Sequence, residues 1–201
     1  MKSILARCSA TLLVLLGVAG CASVEVTDYA NEKPLLQPES FFDGYLTAHG
    51  IIKDRSGRVI RRFNADINAY WRDGIGTLEE DFVFDDGELQ RRVWTLTPAG
   101  EGRYVGTAGD VVGEGMVTVA GNSMFLDYTL RIAFGDGTLD LRIDDRMYLV
   151  NPDILINESR MKKFGFGVGE IVLVIERRPG GSIHGGEGPA AQDSGQRDAE
   201  E

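Results

Sequence analysis

Two acidic residues stand where sequence alternation places them among apolar side chains. Glu80 shares a face of its segment with Leu78 and Phe82, and Asp145 shares one with Ile143. A carboxylate buried among apolar groups must be paired or protonated, so its partner and its pKa determine its chemistry. The two acids therefore predict a polar cluster inside an otherwise apolar interior.

The loop that follows Glu80 sets its expected partner. Residues 85–87 could form a three-residue loop that ends in a left-handed glycine. Glu80 would then face Arg92, and Trp94 would face Leu78 on the apolar side of the sheet. A two-residue loop would make Asp81 face Arg92 instead. We favour the three-residue loop because it keeps Trp94 on the apolar face.

A second loop decides what lies opposite Asp145. A four-residue loop at 135–138 would align Phe134 with Leu139. That register would place Tyr128 directly opposite Asp145.

The cluster predicts a binding site for the polar head of a lipid or another amphipathic ligand. Arginine suits a carboxylate or a phosphate, because its planar fork donates two parallel hydrogen bonds. The alternative is structural: a pair of internal salt bridges, or strand-end side chains that reach water at the rim. The candidate ligand-binding residues are Glu80, Arg92, Trp94, Tyr128 and Asp145.

Other kinds of site find little support in the composition. The net charge of −10 argues against nucleic acid as a partner. Two histidines and two cysteines favour neither a metal site nor a disulfide framework, and His184 stands alone in a glycine-rich segment. Asp85 and Asp86 belong to a turn. We therefore predict no catalytic residue, no metal ligand and no cofactor.

The elements that must position the cluster are β-strands. Period-two alternation recurs along residues 38–178, and Gly-containing turns separate the runs at short intervals. One apolar face per strand must be buried, and closing the sheet removes its edges. We expect an all-β, antiparallel up-and-down barrel of about 8–10 strands, with one short helical turn near Pro38.

The N-terminus has the pattern of a bacterial lipoprotein signal peptide. Lys2 and Arg7 precede a short apolar run, which leads into Val18-Ala19-Gly20-Cys21. This tetrapeptide resembles the lipobox, whose cysteine carries the lipid. Ala22, where an aspartate would retain the protein in the inner membrane, predicts delivery to the outer membrane.

The domain organisation follows from these patterns. We expect a signal peptide over 1–20, a lipidated cysteine and tether over 21–37, a barrel over 38–178 and a disordered tail over 179–201. The protein would face the periplasm from the inner leaflet of the outer membrane.

The barrel segment resembles known proteins at two levels. Phe42-Asp43-Gly44-Tyr45-Leu46 is similar to the lipocalin entry motif, with Leu46 at the position of its tryptophan. A wider resemblance is to a family of bacterial lipoproteins of unknown function with a lipocalin-like barrel, whose genes lie near those of lipid-modifying enzymes. The motifs that carry the wider resemblance are Glu79-Glu80-Asp81-Phe82, Asp86-Gly87, Trp94, Asp110-Val111-Val112-Gly113, Gly121-Asn122, Asp144-Asp145-Arg146-Met147-Tyr148 and Met161-Lys162-Lys163-Phe164-Gly165.

The expected function is binding of a lipid or small hydrophobic ligand by a membrane-anchored periplasmic barrel. One alternative is a filled barrel that acts as an envelope scaffold or assembly factor for a protein partner that the sequence does not identify. Another is a lipid-modifying enzyme that uses Glu80 and Asp145, which would need a carboxyl group of raised pKa beside a cavity. Interior volume distinguishes a ligand-binding barrel from a filled one.

Overall fold

A computed structural model describes residues 23–178, and it contains ten antiparallel strands in one closed barrel. Consecutive strands pair along the chain, and β1 closes the barrel against β10. The predicted all-β up-and-down barrel is confirmed. The strands are β1 (Gly44–Asp54), β2 (Val59–Arg72), β3 (Ile75–Phe84), β4 (Leu89–Pro98), β5 (Arg103–Thr107), β6 (Gly115–Ala120), β7 (Ser123–Phe134), β8 (Gly137–Asn151), β9 (Ile154–Lys163) and β10 (Phe166–Arg177).

Alternation along each strand sends one set of side chains into the barrel. In β2, for example, Phe63, Ala65, Ile67 and Ala69 are buried while the residues between them are less so. Successive side chains of a strand point to opposite faces, so a period-two sequence supplies one apolar lining. The core is therefore the inside of the barrel.

One end of the barrel is closed by the chain that precedes β1. The helical turn α1 (Pro38–Phe41) leads into Phe42, which is only 1% exposed. The indole Nε1 of Trp71 donates to the Phe42 carbonyl at 2.8 Å, and the Tyr104 hydroxyl donates to the carboxylate of Glu39. These bonds hold the turn across the barrel floor.

The segment that we expected to be a tether lies against the outside of the barrel where the structure describes it. A 3-10 helix (Val26–Tyr29) buries Val26, and Tyr29 packs edge-on against Phe125 and Tyr148. A side chain on Gly121 would clash with the Tyr29 carbonyl oxygen, so glycine permits this close approach. The segment contacts the outer face through a few aromatic rings and has no periodic pattern of its own. No pattern in the sequence therefore indicated that it would pack against the barrel. None of the helices among residues 23–178 is long and apolar enough to cross a membrane.

Of the two loop predictions, one is confirmed and one is wrong. Gly87 is left-handed with φ of 85°, and Glu80 pairs with Arg92 as the three-residue loop predicted. At the other loop, Phe134 pairs with Gly137, so the turn has two residues. A two-residue turn is the more common hairpin connection, and Gly135 supplies the positive φ that it needs.

The shorter turn moves the register of β7 against β8 by two residues. Tyr128 therefore lies opposite Ile143, and Asp145 lies opposite Leu126. Because the shift is an even number, both side chains keep the inward face. Tyr128 and Asp145 are diagonal neighbours rather than direct partners.

Candidate functional site

The barrel encloses a cavity of about 830 Å³ with mostly apolar walls. Phe42 lies at its closed end, and Ile60 and Phe134 lie at the other end, beside the β1–β2 and β7–β8 turns. A cavity of this size falls in the range of small-molecule sites. The barrel is therefore hollow and open at the end away from α1.

The open end carries exposed apolar side chains. Phe134 is 68% exposed, Phe164 88% and Phe166 76%. Phe134 borders the β7–β8 turn, Phe164 lies in the β9–β10 turn, and Phe166 is the first residue of β10. Charged side chains stand among them: Arg61 bonds Asp86 and Glu88, and Arg131 bonds Asp140. We call Phe134, Phe164 and Phe166 the apolar rim.

Halfway down the cavity the structure brings the predicted polar residues together. Glu80, Arg92, Trp94, Tyr128 and Asp145 all line it. They come from the middle of β3, β4, β7 and β8, which places them on one side of the barrel. Alternation predicted this inward face for each of them.

Arg92 is engaged by a residue that the sequence did not predict. Its Nε lies 2.9 Å and its Nη2 2.7 Å from Asp110 Oδ2, and Nε also lies 3.1 Å from Oδ1. Its Nη1 lies 3.9 Å from Glu80 Oε2. Burial opposes the charge of Arg92, but the hydrogen bonds to Asp110 and the charge of Glu80 raise its pKa, so the guanidinium stays charged.

Asp110 reaches Arg92 from the connection between β5 and β6. These strands are short, and the connection folds back between β4 and β7, where the Arg131 amide donates to the Asp110 carbonyl at 2.8 Å. Val111 forms an isolated bridge to Leu130. The position of Asp110 depends on these long-range contacts, which no local pattern reports.

Glu80 is a buried acid without a close partner. Its side chain is 14% exposed, and it makes no hydrogen bond within residues 23–178. Burial raises the pKa of Glu80 to about 7, and the charge of Arg92 opposes that rise only in part. Near neutral pH the Glu80 carboxyl group is therefore partly protonated inside the cavity.

Asp145 is held by two side chains of β9. Ser159 Oγ donates to Asp145 Oδ1 at 2.7 Å, and Asn157 Nδ2 donates to the same oxygen. Burial raises the pKa of Asp145 to about 6, although both hydrogen bonds act to lower it. Oδ2 accepts no hydrogen bond from the residues that the structure describes.

Trp94 and Tyr128 form the aromatic part of the site. Their rings meet edge to face with centroids 5.2 Å apart. Tyr128 is 9% exposed, and burial raises the pKa of its hydroxyl. Within residues 23–178 that hydroxyl has no hydrogen-bond partner, so it is available to a ligand.

Sequence reasoning missed Asp110, Asn157 and Ser159. Asn157 and Ser159 carried a signal, since they alternate in phase with Leu155 and Met161 on the inward face of β9. Pro152, just before β9, interrupts the strand pattern and concealed it. Asp110 carried no such signal.

Some predictions concern residues outside the described part. Cys21, the signal peptide over 1–20 and the tail over 179–201 with His184 all lie there. Within residues 23–178, no three His, Cys, Asp or Glu side chains are grouped so that they could hold a metal ion.

The barrel is similar to several solved structures of low sequence identity. An S-type phycobiliprotein lyase from Guillardia theta matches with a TM-score of 0.52 and 15% identity, over 78% of this chain and 98% of the lyase. The protein Rv2717c from M. tuberculosis matches with a TM-score of 0.53 and 16% identity, over 74% and 99% of the two chains. These likenesses concern the fold.

A third solved structure is a DUF3598 protein of unknown function from Nostoc punctiforme. It matches with a TM-score of 0.53 and 17% identity over 73% of this chain, which spans 51% of that protein. No curated protein matches the chain. The model of the DUF3833 family, whose description is "protein of unknown function", matches residues 15–177. The chain therefore belongs to the DUF3833 family.

Proposed function

We propose that this protein binds a lipid or another elongated hydrophobic molecule inside its barrel. The observation that carries the proposal is the open, mostly apolar cavity of about 830 Å³ with a polar cluster at mid-depth. Apolar walls with a few convergent polar groups are typical of ligand sites. The scaffold alternative required a filled barrel, and this interior volume favours a ligand instead.

The apolar rim supports a lipid over a freely soluble ligand. Exposed phenylalanines are unfavourable in water, and three of them flank the open end of the cavity. Insertion of these rings into a lipid surface would bury them and bring the cavity opening to the lipid. The ligand would then pass from membrane to barrel without crossing water.

Native mass spectrometry of the mature chain tests the proposal. The chain would be exported with Cys21→Ser behind an ordinary cleavable secretory signal peptide in place of residues 1–20, so that it is soluble, and purified from a periplasm. We expect a stoichiometric hydrocarbon-bearing ligand. The variant Leu173→Trp, which places an indole ring in the cavity from β10, should lose that ligand. Val174→Trp, at the next and outward-facing position, is the control and should keep it. An empty wild-type chain that also takes up no added lipid would refute the proposal.

We also propose that Cys21 carries a lipid anchor at the periplasmic face of the outer membrane. The charged start, the apolar run and the lipobox support this, and the family match begins at residue 15, ahead of the lipobox. Several acyl chains on one N-terminus would give stable anchoring. Cys21→Ser should abolish acylation and removal of the signal peptide, while Cys8→Ser should leave both unchanged. Ala22→Asp should move the protein to the inner membrane.

A second candidate function is proton transfer on a bound lipid. It is favoured by Glu80, whose pKa of about 7 suits a general acid or base beside the cavity. Incubation of the chain with envelope lipids in deuterated water, followed by mass analysis of the lipids, would detect it as deuterium incorporated at carbon. Product formed by the wild type and lost in Glu80→Gln would establish an enzyme, and unchanged lipids would leave binding alone.

A further inference from the structure

The polar cluster contains more carboxylates than cations. Glu80, Asp110 and Asp145 surround Arg92, and each of the three acids acts electrostatically on the same buried groups. With all four groups ionised, the cluster would carry an excess of negative charge. Uncompensated buried charge is costly, so the cluster favours a ligand that brings positive charge.

Arg92 has little left to offer an anionic head group. Two of its nitrogens are bonded to Asp110, and the third faces Glu80. A carboxylate or phosphate would have to displace Asp110 from a two-nitrogen contact and would approach Glu80. The expectation that Arg92 selects acidic heads therefore does not suit this geometry.

The groups that remain free are mostly acceptors. Glu80 makes no hydrogen bond, Asp145 keeps Oδ2 unused, and the Tyr128 hydroxyl is unpaired, all within residues 23–178. Tyr128 is nine-tenths buried and lines the cavity. A head group with several N–H donors would satisfy all three.

We propose that the ligand is an amphiphile with an ammonium head, which binds Glu80, Asp145 and Tyr128 while its hydrocarbon chain extends toward the apolar rim. This inference rests on the proposed function, since it names the class of molecule that occupies the same cavity. The walls above the cluster are mostly hydrocarbon and aromatic, with Phe82, Leu130 and Ile132 among them, and polar side chains such as Gln90 and Arg61 interrupt them toward the open end. The Trp94–Tyr128 pair adds aromatic surface beside the cation.

The test compares three ligands that share one alkyl chain: dodecylamine, dodecanol and dodecanoate. Binding to the mature chain with Cys21→Ser would be measured by calorimetry at about pH 8 and about 0.15 M salt, where surface attraction is screened. We expect dodecylamine to bind at least about tenfold more tightly than dodecanoate, which is the scale of one hydrogen bond to a charged group. Glu80→Gln and Asp145→Asn should each weaken dodecylamine about tenfold.

Neighbouring acids of the outer face supply matched controls. Glu79→Gln and Asp144→Asn remove the same charge from the next position of each strand, where Glu79 bonds Arg91 and Asp144 bonds Arg146. Both should leave the affinity for dodecylamine unchanged. Leu173→Trp should abolish binding, and binding that persists in it would place the amine on the acidic surface and overturn the inference.

The outcomes separate the inference from the function on which it rests. Dodecanoate bound as tightly as dodecylamine, in a manner that Leu173→Trp abolishes, would refute the ammonium head and keep the hydrophobic cavity. Failure of all three ligands to bind would refute both. The wild-type comparison decides even if a cluster variant does not fold.

Discussion

Arg92 lies directly opposite Glu80 across the β3–β4 pair, yet it donates its hydrogen bonds to Asp110. Its nearest nitrogen stays 3.9 Å from the Glu80 carboxylate. The arrangement leaves one acid paired and one acid free at the same depth of the cavity. Both the stability of the barrel and the binding of a ligand should depend on this division.

Loss of Arg92 should destabilise the barrel strongly. Arg92→Met leaves Asp110 and Glu80 without a cation in a buried site, a change that costs about 3 kcal/mol in comparable cases. Arg91→Met is the matched control, because Arg91 pairs with Glu79 and Asp81 on the exposed face and should contribute less than about 1 kcal/mol. Urea unfolding of both variants measures the difference. Equal losses would contradict a structural role for the Arg92–Asp110 pair.

Stability should depend on pH through Glu80. The pKa of Glu80 is raised from 4.5 to about 7, so the folded chain binds more protons than the unfolded chain between these values. Stability from this group is complete below about pH 4.5 and is lost as the pH rises through 7. The carboxylate faces Arg92 on β4, Asp110 on the β5–β6 connection and Asp145 on β8. The charges of these three groups act on the Glu80 carboxyl group and contribute to its pKa.

The variant Glu80→Gln isolates this effect. Between about pH 5 and pH 8 the wild type should lose roughly 2 kcal/mol of unfolding free energy that the variant does not lose. Glu79→Gln, on the outward face, should follow the wild-type profile. Parallel profiles for the wild type and Glu80→Gln would show that Glu80 ionises normally.

The hydroxyl of Tyr128 should contribute to ligand affinity and not to the free energy of unfolding. It has no partner among the residues that the structure describes, so Tyr128→Phe should leave the unfolding free energy within about 0.5 kcal/mol of the wild type. The same substitution should weaken binding of a polar-headed ligand. A large stability loss without a binding effect would show that the hydroxyl has a structural partner. Thermal unfolding and calorimetry on one sample measure both quantities.

The apolar rim should govern ligand exchange with membranes. Replacing Phe164 and Phe166 by serine removes exposed rings, so stability should change little. Transfer of a fluorescent lipid from vesicles into the cavity should slow by about tenfold, the effect expected for losing roughly 1.4 kcal/mol of membrane contact. Exposed apolar residues elsewhere provide the control: Val150→Ser and Ile156→Ser should not slow transfer. Equal rates in all variants would remove the rim from the uptake path.

Local periodicity determined most of the barrel and the composition of its interior. Alternation placed Glu80 and Asp145 among apolar side chains, and the Gly87 turn fixed the pairing of Glu80 with Arg92. Both depend on neighbouring residues only. A strand has a period of two, and a short loop needs a residue of positive φ, so the sequence encodes them directly.

Tertiary structure decided what the sequence left open. The register of Tyr128 against Asp145 depended on a turn whose two possible lengths keep the same parity, so alternation could not choose between them. The capture of Arg92 by Asp110 required the β5–β6 connection to fold between two longer strands. The cavity depends on how ten strands close around side chains of many sizes, which is a property of the whole barrel rather than of any segment.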